Sequence, residues 1–112
     1  MMSFQRLDVY QRSVEFLAFT LEALRDVPTK GHAEIVDQLK RAAQSMPLNI
    51  AEGAGRSSRA DMARHYVIAR GSAMECAAVL DVMKIQDTIS QRRYDRGIEL
   101  LTGIVAMLSK ML

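Results

Sequence analysis

Residues 35–50 read Ile35-Val36-Asp37-Gln38-Leu39-Lys40-Arg41-Ala42-Ala43-Gln44-Ser45-Met46-Pro47-Leu48-Asn49-Ile50. Val36, Leu39, Ala43, Met46 and Ile50 recur at alternating three- and four-residue steps, the spacing of one face of an α-helix, and Ile35 and Ala42 widen the stripe. Pro47 stands inside it, where it removes one backbone hydrogen bond and presses on the carbonyl of Ala43. The apolar spacing stays in register through Ile50, so the stretch predicts a single helix kinked at Pro47; a restart capped by Ser45 is the alternative.

The same periodicity appears in three further segments. Before it come Leu7, Tyr10, Val14, Leu17, Leu21 and Leu24; after it come Met62, Tyr66, Ala69, Ala73, Cys76, Leu80 and Met83, then Tyr94, Ile98, Leu101, Ile104, Leu108 and Met111. Pro28-Thr29-Lys30-Gly31 and Gly53-Ala54-Gly55-Arg56-Ser57 punctuate the stripes, Ser58 with Asp61 resembles a capping box, and Ser90 can cap the last segment. Linkers this short force neighbouring helices to run antiparallel. The expected fold is all-α, an up-down-up-down four-helix bundle filling residues 1–112 as one domain.

Composition agrees. The chain is 49% hydrophobic and 25% charged, which supports a packed core and excludes wholesale disorder. Cys76 is the single cysteine, so no disulfide closes within the chain. Residues Met1 to Arg6 lack an apolar signal stretch, and no run nears the roughly 18 apolar residues of a membrane span. A cytoplasmic protein with no membrane association is the expectation.

Apolar residues exceed what one core needs. With Leu7, Val14 and Leu21 at heptad position a and Tyr10, Leu17 and Leu24 at d, a second stripe of Phe16, Phe19, Thr20 and Ala23 faces outward. The third segment also carries Val67, Ile68, Met74, Ala78, Val79, Val82 and Ile85 outside its seam. Clustered outward rings mark interfaces, and the expectation is a homo-oligomer joined through Phe16, Phe19 and Ala23.

No reaction is written in the sequence. His32 and His65 fall in no metal-ligand spacing, and the Glu-x-x-His pairs of di-iron bundles do not occur. Asp61 and His65, four apart, read as a surface ion pair, and Cys76 on an apolar seam reads as a small hydrophobe. Gly53-Ala54-Gly55-Arg56 lacks the spacing and the Lys-Ser/Thr of a phosphate-binding loop. The expectation is a non-enzyme with no catalytic residue, metal or cofactor. Arg41, Asn49, Glu52 and Glu75 read as a structural polar network, because Glu52 opposes its helix dipole and Glu75 sits among apolar neighbours, so both call for cations.

Eleven of the fifteen cationic residues are arginine, which suits phosphate. Arg56, Arg59 and Arg64, followed by Arg70, gather at the start of the third segment, and Arg92, Arg93 and Arg96 at the start of the fourth. Cations in a first turn run against the dipole preference, and an anionic partner explains them. The alternative is a solvated face neutralised by Asp61, Asp87 and Asp95.

Ser45-Met46-Pro47-Leu48-Asn49-Ile50-Ala51-Glu52-Gly53-Ala54-Gly55-Arg56 resembles the Ser-x-Pro-x-Asn-Ile-Ala-Glu-Gly-x-Gly-Arg motif of the bacterial four-helix bundle proteins named for 23S rRNA intervening sequences. The likeness extends to Phe4, Leu7, Val9, Tyr10 and Gln11, to Arg41-Ala42-Ala43, and to Ala69-Arg70-Gly71-Ser72 with Glu75. Gln86-Asp87-Thr88 departs from the Leu-Gly-Tyr turn of many relatives. The resemblance implies a four-helix bundle assembled as a homopentamer around a channel. Accessory variability proteins of diversity-generating retroelements look similar; they are basic pentamers that engage a reverse transcriptase and nucleic acid. The resulting expectation is an oligomeric scaffold that binds nucleic acid, structured RNA above all, through its arginine clusters. A module docking a partner protein on its outer helix face or channel is the alternative.

Overall fold

The structure, a computed structural model, describes all 112 residues. A 3-10 turn, Ser3–Arg6, leads into four helices: α1 (Asp8–Leu24), α2 (Ala33–Ala54), α3 (Arg59–Ile85) and α4 (Gln91–Lys110). α2 runs unbroken through Pro47, so Ser45 starts no second helix. Ser58 caps α3 by accepting from the Asp61 backbone N–H at 3.1 Å, and Ser90 caps α4 by accepting from that of Arg93 at 3.2 Å. At the other end of α3 the chain turns through Asp87, whose φ of 57° is left-handed. The Thr88 and Asp87 backbone N–H groups donate to the carbonyls of Met83 and Lys84, which satisfies two carbonyls of the last turn.

Pairs across the helices fix the topology. Gln38 meets Glu75, Ser45 meets Ser72 and Asn49 meets His65, so residue numbers fall along α3 as they rise along α2. Asp81 with Tyr94 and Arg70 with Ser109 show the same reversal between α3 and α4, as do Glu15 with Arg96 and Asp26 with Arg93 between α1 and α4. α1 therefore runs parallel to α3 and opposite to α2. Each helix packs on its sequence neighbours, α1 also packs on α4, and the pairs α1/α3 and α2/α4 lie on diagonals. This is the up-down-up-down arrangement expected from the short linkers.

The core stripes of α2 and α3 are largely those read from the sequence, with Leu39, Ala43, Met46 and Ile50 facing Ala69, Ala73, Cys76, Leu80 and Met83 across the interior. Val79, expected outside the α3 seam, is buried there too, because it adjoins Cys76 and Met83 on the same side of the helix. α4 adds Leu101, Ile104 and Leu108, with Leu100. No helix is long and apolar enough to cross a membrane.

α1 is turned the other way. Val9, Ser13, Phe16, Thr20, Ala23 and Leu24 face inward, while Val14 and Leu21, assigned above to the core, stay 40% and 42% exposed. Phe16 is fully buried and Ala23 nearly so, and neither belongs to an outward face. Phe19 is half-buried, with its ring laid against α4 at Gly97. A Cβ added there would stand 3.0 Å from the ring and 2.7 Å from Leu80. Both stripes of α1 are apolar at helical spacing, so periodicity alone cannot choose between them. The buried stripe carries the small residues Ser13, Thr20 and Ala23; the Ser13 hydroxyl donates to the Tyr10 carbonyl of its own helix at 2.7 Å, whereas the Thr20 hydroxyl is enclosed without a partner. The surplus apolar surface of α1 is Val14 and Leu21, while Tyr10 and Leu17 beside them are partly buried against the core.

Chemical denaturation separates the two faces. Phe16→Ala is expected to lower unfolding free energy by about 3–5 kcal/mol, the cost of removing a fully buried ring. Leu21→Ala is expected to cost about 1 kcal/mol or less within a single protomer, measured at a concentration where the protein is monomeric. Equal losses would mean that both faces of α1 are covered.

Candidate nucleic-acid interface

The α2–α3 seam positions the first arginine cluster. Its polar contacts are neutral: Ser72 Oγ donates to Ser45 Oγ at 2.8 Å, and Asn49 Nδ2 donates to the Ser45 carbonyl at 2.9 Å and hydroxyl at 3.1 Å. With its amide nitrogen so engaged, Asn49 presents Oδ1 to His65 Nδ1 at 3.2 Å, and the imidazole donates from that nitrogen. Below this line the helices nearly touch. A Cβ on Gly53 would stand 2.7 Å from the Tyr66 ring and 3.2 Å from the His65 Cβ.

The polar network expected from Arg41, Asn49, Glu52 and Glu75 does not form. Arg41 pairs with Asp37 at 3.3 Å, Glu52 with Arg56 at 3.0 Å, and Glu75 accepts from Gln38 at 3.2 Å, all at the surface. Only Asn49 lies in the seam. The charged side chains extend past its edges into water, which avoids the desolvation that a buried pair must overcome. Ser45, Ser72 and His65 were the missed members. His65 is buried against α2 instead of pairing with Asp61 on the surface. The signal was available in part, since Ser45 and Asn49 share a helix face four residues apart.

Cys76 lies fully buried in the same seam. Burial, with the Glu75 carboxylate adding to it, pushes its thiol up to about 12.

The two arginine clusters lie at opposite ends of a molecule 44 Å long, because α3 and α4 are antiparallel and each cluster begins its helix. At the start of α4, Arg92, Arg93 and Arg96 line one depression of about 490 Å³ with Ser90, Phe19 and Glu22. Carboxylates already hold two of the three: Arg93 pairs with Asp26 at 2.7 Å, and Arg96 with Glu15 at 2.8 Å and Glu99 at 2.6 Å. At the start of α3, Arg56 pairs with Glu52, whereas Arg59 and Arg64 make no ion pair. Arg70 lies farther up α3, donating to Ser109 Oγ at 3.2 Å.

Dividing every helix at its midpoint makes the asymmetry plain. The half holding the α2–α3 turn carries Arg6, Arg12, Arg56, Arg59, Arg64, Arg70 and Lys110 against Asp8, Glu15, Glu52 and Asp61. The other half carries eight cationic against nine acidic side chains. All of the net positive charge therefore sits at the α2–α3 turn end.

The profile of the family described as 23S rRNA-intervening sequence protein matches residues 5–110, nearly the whole chain. The chain belongs to this family. Its fold also matches the crystal structure of a protein of unknown function from the S23 ribosomal protein family of Bacteroides thetaiotaomicron. The two share 23% sequence identity and a TM-score of 0.82, over 92% of this chain and 96% of that one. No curated protein matches. In this family member the motif at residues 45–56 is the second half of α2 and the turn after it. Ser45, Asn49 and Gly53 make the seam, and Arg56 opens the basic end.

Cys76 reports on the seam. At pH 8 the native thiol stays protonated and enclosed, so a disulfide reagent is expected to leave it unmodified until denaturant opens the bundle. Rapid labelling of the native protein would show that α2 and α3 separate readily.

Proposed function

We propose that the protein is a non-enzymatic, homo-oligomeric scaffold that binds nucleic acid, RNA above all, through the end formed by the α2–α3 turn. One observation carries the reading: the excess positive charge is confined to that end, where Arg59 and Arg64 have no carboxylate partner. Unpaired guanidinium groups gain phosphate contacts without breaking internal ones, and the counterions they release make binding salt-dependent. Arg56 and Arg70 flank the contact. In the other cluster Arg93 and Arg96 are held by the protein's own acids and only Arg92 has no ion pair, so that cluster supports the reading less.

Self-association is supported by two apolar faces on diagonally opposed helices. One is centred on Val14 and Leu21 of α1; the other is Val67, Met74, Val82 and Ile85 on α3, of which Ile85 is 86% exposed. A two-fold dimer covers one such face, whereas head-to-tail contacts cover both and give a ring when the rotation between copies closes. A pentamer is the copy number that the family likeness implies. A second reading, docking of a partner protein, is favoured by an apolar groove of about 240 Å³ between α3 and α4. Ala73, Met74, Ala77, Ile98, Leu101 and Val105 line it, a surface suited to an amphipathic helix.

Two experiments test these parts. Native mass spectrometry of a Val14→Glu, Leu21→Glu variant is expected to show a monomer of 12.5 kDa where the unaltered protein shows a multiple. An unchanged copy number would remove α1 from the interface. For RNA binding, Arg59→Ala with Arg64→Ala is expected to flatten the dependence of log affinity on log salt by about 2, roughly 1 per arginine. An unaltered slope would place the contact elsewhere.

A further inference from the structure

We infer that the basic end takes the sugar–phosphate backbone of a nucleic-acid duplex and does not read unpaired bases; the inference rests on the nucleic-acid reading above and names its ligand class. Proteins that hold single strands stack bases on exposed aromatic rings or on guanidinium planes fixed in position. This protein's rings are committed elsewhere. Phe19 and Tyr94 lie in the opposite half, against α4 and Asp81 respectively, and Phe16 is fully buried. At the basic end, Phe4 and Tyr10 are half-buried and turned edge to face on each other with centroids 5.0 Å apart. Tyr66 is buried against the backbone at Gly53.

The arginines there are equally unsuited to stacking. Arg59 and Arg64 have no side-chain partner to hold a guanidinium plane, so they act as mobile charges with donor forks. Such groups suit a dense, regular array of phosphates. A duplex carries one charge per roughly 1.7 Å of axis, so an end face 25 Å across spans a length holding roughly 15 of them, those on the near side within its reach. A flexible single strand presents fewer charges over that span and would forfeit the stacking that ordinarily offsets its ordering.

The test compares, by fluorescence anisotropy on the intact oligomeric protein, an RNA duplex of about 20 base pairs with an unstructured oligouridine of the same length. At moderate salt the duplex is expected to bind at least about tenfold more tightly. Two duplexes of unrelated sequence should bind alike, and the duplex signal should fall in the Arg59→Ala, Arg64→Ala variant while helix content is unchanged. Oligouridine binding as tightly as the duplex, or more so, overturns the duplex inference and leaves the nucleic-acid reading standing. Absence of binding to either probe at low salt overturns both.

Discussion

The close approach of α2 and α3 at Gly53 is the constraint on which the rest of the protein depends. Only a residue without a side chain lets the Tyr66 ring rest against α2. That contact brings the last turn of one helix beside the first turn of the next. The connection can then be as short as Gly55 to Ser58, and Arg56, Arg59 and Arg64 are delivered to one end of the bundle. Ser45 on Ser72 and Asn49 on His65 hold the register of the same pair of helices farther along.

The seam is polar without being charged. Hydroxyl, amide and imidazole groups satisfy one another there, whereas a buried Arg–Glu pair would have to recover several kcal/mol of desolvation. One group is left over: His65 Nε2 is enclosed without a partner, at a cost of about 1–3 kcal/mol for an unmet buried polar group. Packing around Tyr66 and Ile50 offsets it, since both lie in the continuous core.

Four helices, their caps at Ser58 and Ser90, and the inner faces of α2, α3 and α4 were all legible in apolar spacing and turn residues. α1 was not, because it carries two apolar stripes and the buried one includes Ser13 and Thr20. Their hydroxyls look like surface markers in a sequence, yet Ser13 satisfies its own within the helix. The seam partners were hidden for a different reason: which residue of α2 meets which of α3 depends on the relative shift of two helices, and period alone does not contain that shift. The separation of the arginine clusters was in principle readable. Antiparallel helices begin at opposite ends, and clusters at the starts of α3 and α4 cannot merge within one protomer.

Charge segregation also changes what the overall isoelectric point means. At physiological ionic strength fields decay over about 8 Å, several times less than the 44 Å that separate the two ends. Each end is electrostatically blind to the other. The value of 8.9 averages two independent surfaces, one with an excess of three cationic side chains and one with an excess of one acidic, and describes neither. A charged column or polyanion meets a directional object, turned by its own field so that one end arrives first.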